Sequence, residues 1–285
     1  MNLCRTPGLV MTLAYPVRPF LHNRKGFTSA FYLRRDYSMT NRYNLAAALS
    51  ALTLLCCAAL TLAPKVNAAG EGKISGTVTL AGTAPHMRGI DMSKDPFCSK
   101  ANASSPAHME NVVVGQGGGL ENVVLYISAG LPSSALAAVP TAVPVFDQKN
   151  CMYTPHVLAV DAGETFKVST SDQTAHNIHP NPNPMTGNIP WNLSQPPGSP
   201  AIVKSWKAPE MIPVQCNIHP WMHGWFAVVK GPYATTDEKG SYTIDNVPPG
   251  NYTVTAWQED YGTPTQKVTV SAGGAGAANF SFKAK

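Results

Sequence analysis

Beyond residue 68 the chain is short of cysteine, short of charge and without any run of helical periodicity. Three cysteines remain there, Cys98, Cys151 and Cys216. That number excludes a cysteine-rich scaffold and a four-cysteine zinc site. The seven histidines of this part contain no His-x-His pair, so the sequence does not encode a cluster of several metal ions. A basic face for nucleic acid is missing as well. Residues 1–68 hold eight of the 21 Lys and Arg but one of the 16 Asp and Glu, which leaves the remainder at about −2. With no 3.6-residue apolar repeat after residue 69, nothing there reads as a helix and the fold class is all-β.

One long apolar run exists, residues 45–63, preceded by Arg42 and ending in Val66-Asn67-Ala68. It reads as a signal peptide cleaved near Ala68, giving a periplasmic or secreted protein. The alternative is a membrane anchor, although 19 residues is near the lower limit for spanning. No stable span is expected in the mature form. Residues 1–38, rich in Arg, read as an upstream extension, with Met39 as the initiator.

Short alternating runs separated by Gly, Pro, Asn and Asp fill the rest. They divide into an N-terminal β segment (69–130), a central domain (140–230) and a C-terminal β module (231–285). The central domain reads as strands at 157–160, 165–170, 201–207, 212–216 and 225–230. The proline-rich stretch 181–200 reads as loop throughout. His156 reads as a solvent-facing strand residue.

The chemistry concentrates in VQCNIHPWMHGW, which carries Cys216, His219 and Met222 on one short loop. SDQTAHNIHP supplies His176 some 40 residues upstream. Two imidazoles, a thiolate and a weak axial thioether suit copper in an electron-transfer site. Zinc is the alternative metal, but Met is a poor zinc donor. His223 competes with Met222 as fourth donor. His179, three residues after His176, points to the other face of its strand. If Cys216 binds metal, Cys98 and Cys151 remain as a disulfide pair in an oxidising compartment, the alternative being two buried thiols.

Cys216-Asn217-Ile218-His219-Pro220-Trp221-Met222 resembles the copper loop of amicyanin-type cupredoxins, the small blue copper proteins. Tyr153-Thr154-Pro155, Gly163-Glu164 and Asp172 followed by His176-Asn177-Ile178-His179 extend the likeness upstream. The resemblance implies a Greek-key β-sandwich. It implies one type 1 copper held by His176, Cys216, His219 and Met222, with Asn177 bracing the thiolate from behind. It also implies an exposed edge of His219 rimmed by Pro220 and Trp221, where a redox partner such as a cytochrome or dehydrogenase docks. ISGTVT (74–79) and ATTDEKGSYTIDNVPPGNYTV (234–254) resemble the carboxypeptidase regulatory-like domain, a transthyretin-like sandwich. The early strands are then the first part of a module into which the copper domain is inserted, and a Cys98–Cys151 bridge staples the two together. A sequential arrangement is the alternative. The expected function is single-electron transfer without catalysis. Copper storage or delivery, or carbohydrate and cell-surface binding, are the alternatives.

Overall fold

The protein is described by a computed structural model over residues 70–133, 135 and 142–285. The apolar run 45–63, the cleavage point near Ala68 and part of the Pro- and Ala-rich stretch 131–144 lie outside the described residues. Among the described residues, no helix is long and apolar enough to cross a membrane.

Alternating sequence produces strands, and these pack as two β-sandwiches. In the first, β1 (Gly72–Ala81) lies between β13 (Ser241–Val247) and the successive strands β16 (Ala275–Ala277) and β17 (Phe280–Lys283). It is antiparallel to β13 and parallel to the other two. The facing sheet runs β12 (Tyr233–Thr235), β2 (Val124–Ala129), β14 (Gly250–Trp257), β15 (Thr265–Val270). Ile74, Val78, Leu125, Ile244, Val254 and Phe280 fill the space between. Pairing is thus mixed rather than purely antiparallel, because residues 231–285 contribute no strand of their own to the centre of the first sheet and β1 fills it. A bulge keeps β13 in register. Asn246 adopts φ 58° and the pairing shifts between Gly72 and Ile74, so Val247 returns to the core face that Tyr242 and Ile244 occupy.

The second sandwich is formed by residues 142–230. One sheet runs β5 (Val157–Asp161), β11 (His223–Val229), β10 (Glu210–Gln215), β7 (His176–Pro180), β8 (Leu193–Gln195). The other runs β4 (Met152–Thr154), β3 (Val145–Lys149), β6 (Thr165–Thr170), β9 (Ile202–Ser205). Strand β5 runs parallel to β11 and β3 parallel to β6, each pair being separated in sequence by at least one strand of the opposite sheet. Phe146, Phe166, Ile178, Ile212 and Phe226 form its core. Strand β8 falls inside the stretch read as loop: a proline-free triplet there pairs with the edge of β7 and satisfies its backbone groups.

Strands β5 and β11 are buried on both faces. Leu158, Val160, Phe226 and Val228 point into their own sandwich. Val157, Ala159, Ala227 and Val229 meet Val124 and Trp257 of the first sandwich. This second apolar layer joins the two sandwiches, which belong to one compact unit. The absence of helix after residue 69 is corrected by α1 (Pro96–Ala101). Asp95 caps it, accepting the Cys98 N–H at 2.9 Å, and Pro96 begins it. Six residues are too few for periodicity to reveal, although Asp-Pro is a start signal.

Candidate metal centre

Cys216 follows the last residue of β10, and β11 begins at His223, so the loop between them spans seven residues. It closes on itself: Cys216 N–H donates to the Met222 carbonyl at 3.1 Å and Met222 N–H to that of His219 at 2.9 Å. His176 opens β7, which pairs with β10 through Gln215 and His179. That register brings His176 beside Cys216 across 40 residues of sequence.

The donor atoms face one another. His176 Nδ1 and His219 Nδ1 are 2.9 Å apart, and His219 Nδ1 lies 4.0 Å from Cys216 Sγ. Each imidazole is tied from behind by a carboxylate. His176 Nε2 sits 2.8 Å from Asp172, and His219 Nε2 sits 3.1 Å from Asp95. A proton on each Nε2 leaves each Nδ1 lone pair aimed inward, the tautomer that ligation needs. Two lone pairs at 2.9 Å repel unless a cation or a shared proton lies between them. Met222 is wholly buried in the same core.

The sulfur is prepared as an anion. The backbone amides of His219 and Asn177 approach Sγ at 3.4 and 3.5 Å. Asn177 Oδ1 lies 3.3 Å from Sγ and accepts the Asn217 N–H at 2.6 Å, pinning the loop. Burial pushes the Cys216 thiol up, but His176 and the amides outweigh it and hold the thiol below its usual value. Burial pushes His176 down, yet Asp172 and Cys216 together raise it to about 9.

Two residues that hold the site escaped the sequence reading. Asp172 accepts the N–H groups of Asn150 and Cys151 at 2.7 Å each, as well as bracing His176. Its place four residues before His176 was quoted without a role. Asp95 comes from the segment between β1 and β2, 124 residues from His219, and no local pattern marks it as a brace. Cys98 and Cys151 are joined as a disulfide, tying that segment to the β3–β4 turn. Cys98 Sγ lies 3.7 Å from His219 Nε2.

This segment changes the surface around the site. The expected exposed edge of His219 is 3% exposed, because Asp95 and Cys98 cover it. Pro220 is exposed beside Ile218, which is 50% exposed. Trp221 is half-buried, packs against His219 with ring centroids 5.0 Å apart and planes tilted by 40°, and donates its indole N–H to the Cys151 carbonyl. His179 stays out of the donor cluster and faces Asn217 at 3.1 Å. His223 turns away from it, with Nδ1 3.1 Å from the Trp221 carbonyl. His156 is not solvent-facing but 4% exposed, enclosed by Glu110, His223 and Glu259 from three distant parts of the chain.

Residues 228–283 match the family model of the carboxypeptidase regulatory-like domain. The match holds β12 to β17, whereas β1 and β2 of the same two sheets lie outside it. Solved structures similar to the chain are cupredoxins and a copper enzyme. An oxidised amicyanin mutant is 22% identical over 37% of this chain and 98% of its own, with TM-score 0.26. A purple cupredoxin from Nitrosopumilus maritimus is 21% identical over 27% of this chain and 82% of its own, with TM-score 0.24. A copper-containing nitrite reductase from Thermus scotoductus SA-01 is 18% identical over 36% of this chain, with TM-score 0.28, and the chain spans a quarter of its length. No curated protein matches the chain. At these scores the chemistry rests on the donor geometry rather than on the likeness.

Proposed function

We propose that His176, Cys216, His219 and Met222 hold one copper ion and that the protein carries single electrons between redox partners after export. The observation that carries this reading is the inward convergence of two Nδ1 atoms and one sulfur, with both Nε2 atoms tied to carboxylates. Copper in such a set supplies one-electron exchange between its two common oxidation states.

The chain's own residues keep that exchange fast. β7, β10 and the disulfide-tethered α1 fix the donors before metal arrives, so little needs to move when charge changes. The backbone amides of Asn177 and His219 donate to the sulfur and stabilise its negative charge, while the Asn177 side chain pins the loop by accepting the Asn217 N–H. Asp95 and Cys98 keep water from His219. A partner protein meets the surface at Ile218 and Pro220, with Trp221 behind it.

Export fits the disulfide, which persists in oxidising compartments. The same reading treats 142–230 as a domain inserted between β2 and β12. Limited proteolysis within 131–144 should then leave fragments that stay tightly associated, and a freely separable 231–285 piece would count against it.

Adding Cu(II) to the metal-free protein should produce an intense visible thiolate-to-copper band that Cys216→Ser abolishes. A copper-loaded protein with no such band refutes the reading.

A further inference from the structure

A second cluster of donors lies at the seam between the two sandwiches, on the opposite face of the start of β11. His156 and His223 come from one sandwich, Glu110 and Glu259 from the other. One donor atom each of His156, His223 and Glu259 lies within 4.8 Å of the others. His156 Nε2 is 2.5 Å from Glu259 Oε1, and the two imidazole rings meet edge-on with centroids 5.2 Å apart.

A buried ion pair between His156 and Glu259 is the plainer explanation, and it leaves two facts unexplained. His156 Nδ1, on a side chain 1% exposed, has no hydrogen-bond partner, and neither does the buried Oε2 of Glu110, 3.8 Å away. Each orphaned group costs about 1–3 kcal/mol. The second fact is that two of the three donors, His223 and Glu259, are oriented from behind. His223 Nδ1–H donates to the Trp221 carbonyl at 3.1 Å, which leaves its lone pair on Nε2. Glu259 Oε2 accepts the Trp225 indole N–H at 2.6 Å, which leaves Oε1 turned towards His156. His156 Nδ1 faces Glu110 Oε2 at 3.8 Å, beyond hydrogen-bond reach, and a small shift of Glu110 would give an Nδ1 proton its acceptor and leave the lone pair on Nε2. Outer partners that fix tautomer and rotamer are what metal ligands carry.

We propose that His156, His223 and Glu259 form a second metal site, for a divalent transition ion of the zinc class, with Glu110 as the outer partner of His156. Two imidazoles and one carboxylate are a zinc donor set that keeps a fourth position open. Two ligands at about 2.0–2.2 Å on a tetrahedral ion stand roughly 3.4 Å apart. His156 Nε2 and Glu259 Oε1 therefore separate by less than about 1 Å to admit the ion. His223 is half-buried while the Glu259 side chain is 9% exposed, and a water completes the fourth position.

The test uses the full chain, first given one equivalent of copper and then dialysed against Zn(II), with both metals counted per chain. The wild type should retain one zinc. Glu259→Gln and His223→Ala should each weaken zinc binding by about 100-fold or more, and Glu110→Gln by about 10–100-fold. Glu259→Gln should keep the wild-type visible band and β-sheet circular dichroism, which separates loss of zinc from loss of fold. Co(II) in place of zinc should give d–d bands that Glu259→Gln removes. A wild type that retains no zinc, or zinc retained equally by Glu259→Gln and His223→Ala, overturns the proposal. Comparing variants with wild type reads this site whether or not Cys216 binds copper.

Discussion

Asp95 offers the sharpest test of how the first site is held, because its two oxygens do different things. Oδ1 accepts the Cys98 N–H and caps α1, while Oδ2 faces His219 Nε2 at 3.1 Å and accepts the Thr174 hydroxyl at 3.1 Å. Asparagine caps a helix as well as aspartate does, so Asp95→Asn keeps the first role. Its amide nitrogen then faces the His219 Nε2–H, a donor against a donor, and the second role is lost. Metal-free stability should fall by about 1–3 kcal/mol, the cost of leaving the buried His219 N–H without its acceptor, while the cap itself survives. Copper affinity should fall about 10–100-fold, the usual consequence of losing an outer partner, or about 1.4–2.7 kcal/mol. Asp95→Ala should add the loss of the cap, about 1 kcal/mol, to the same loss of affinity. The measurements are urea unfolding of the metal-free proteins and copper competition against a chelator. An Asp95→Asn protein that binds copper as tightly as wild type, with an unchanged visible band, refutes the claim that this carboxylate orients His219.

Three further outcomes are expected. Gly240→Ala should destabilise the first sandwich by at least about 2 kcal/mol in denaturant unfolding, since φ is +70° there and an added Cβ would stand 2.1 Å from the Val78 carbonyl oxygen. Replacing both Cys98 and Cys151 by Ser opens a loop of 53 residues, and should cost up to about 4 kcal/mol and raise solvent access to His219, read by unfolding and by the pH dependence of hydrogen exchange on its ring. Glu164 is raised by burial above the ordinary carboxylate value, and its Oε1 has no partner. A raised acid contributes fully below its unfolded pKa and loses that contribution as pH rises through the folded one. Glu164→Gln should therefore melt higher than wild type at pH 7.5, with the difference gone below about pH 4. An unchanged difference between those two pH values would contradict the assignment.

Much of the site was legible because its donors are close in sequence. Cys216, His219 and Met222 occupy one loop, and their spacing alone narrows the metal before any fold is known. His176 was legible as a lone imidazole on a nearby strand, and the β7–β10 register supplies the contact. The all-β class was legible in the alternation of β6 and β13, where Phe166, Val168, Tyr242 and Ile244 point inward. His156 was misread because the groups that bury it stand 46, 67 and 103 residues away, at Glu110, His223 and Glu259. Asp95 was invisible as a brace for the same reason.

The sequence by itself determined the donors of the Cys216–Met222 loop and which segments extend, since both follow from residue type and local spacing. Tertiary structure alone decided what covers them. The runs 157–160 and 225–230 read as strands, but periodicity cannot say that one face meets a second sandwich rather than solvent. The exposed edge expected for His219 became a covered one when a segment from between β1 and β2 folded over it. Both outcomes depend on contacts between residues distant in the chain, roughly 30 positions or more at the second sandwich and 121 and 124 at His219, and no local pattern records such contacts.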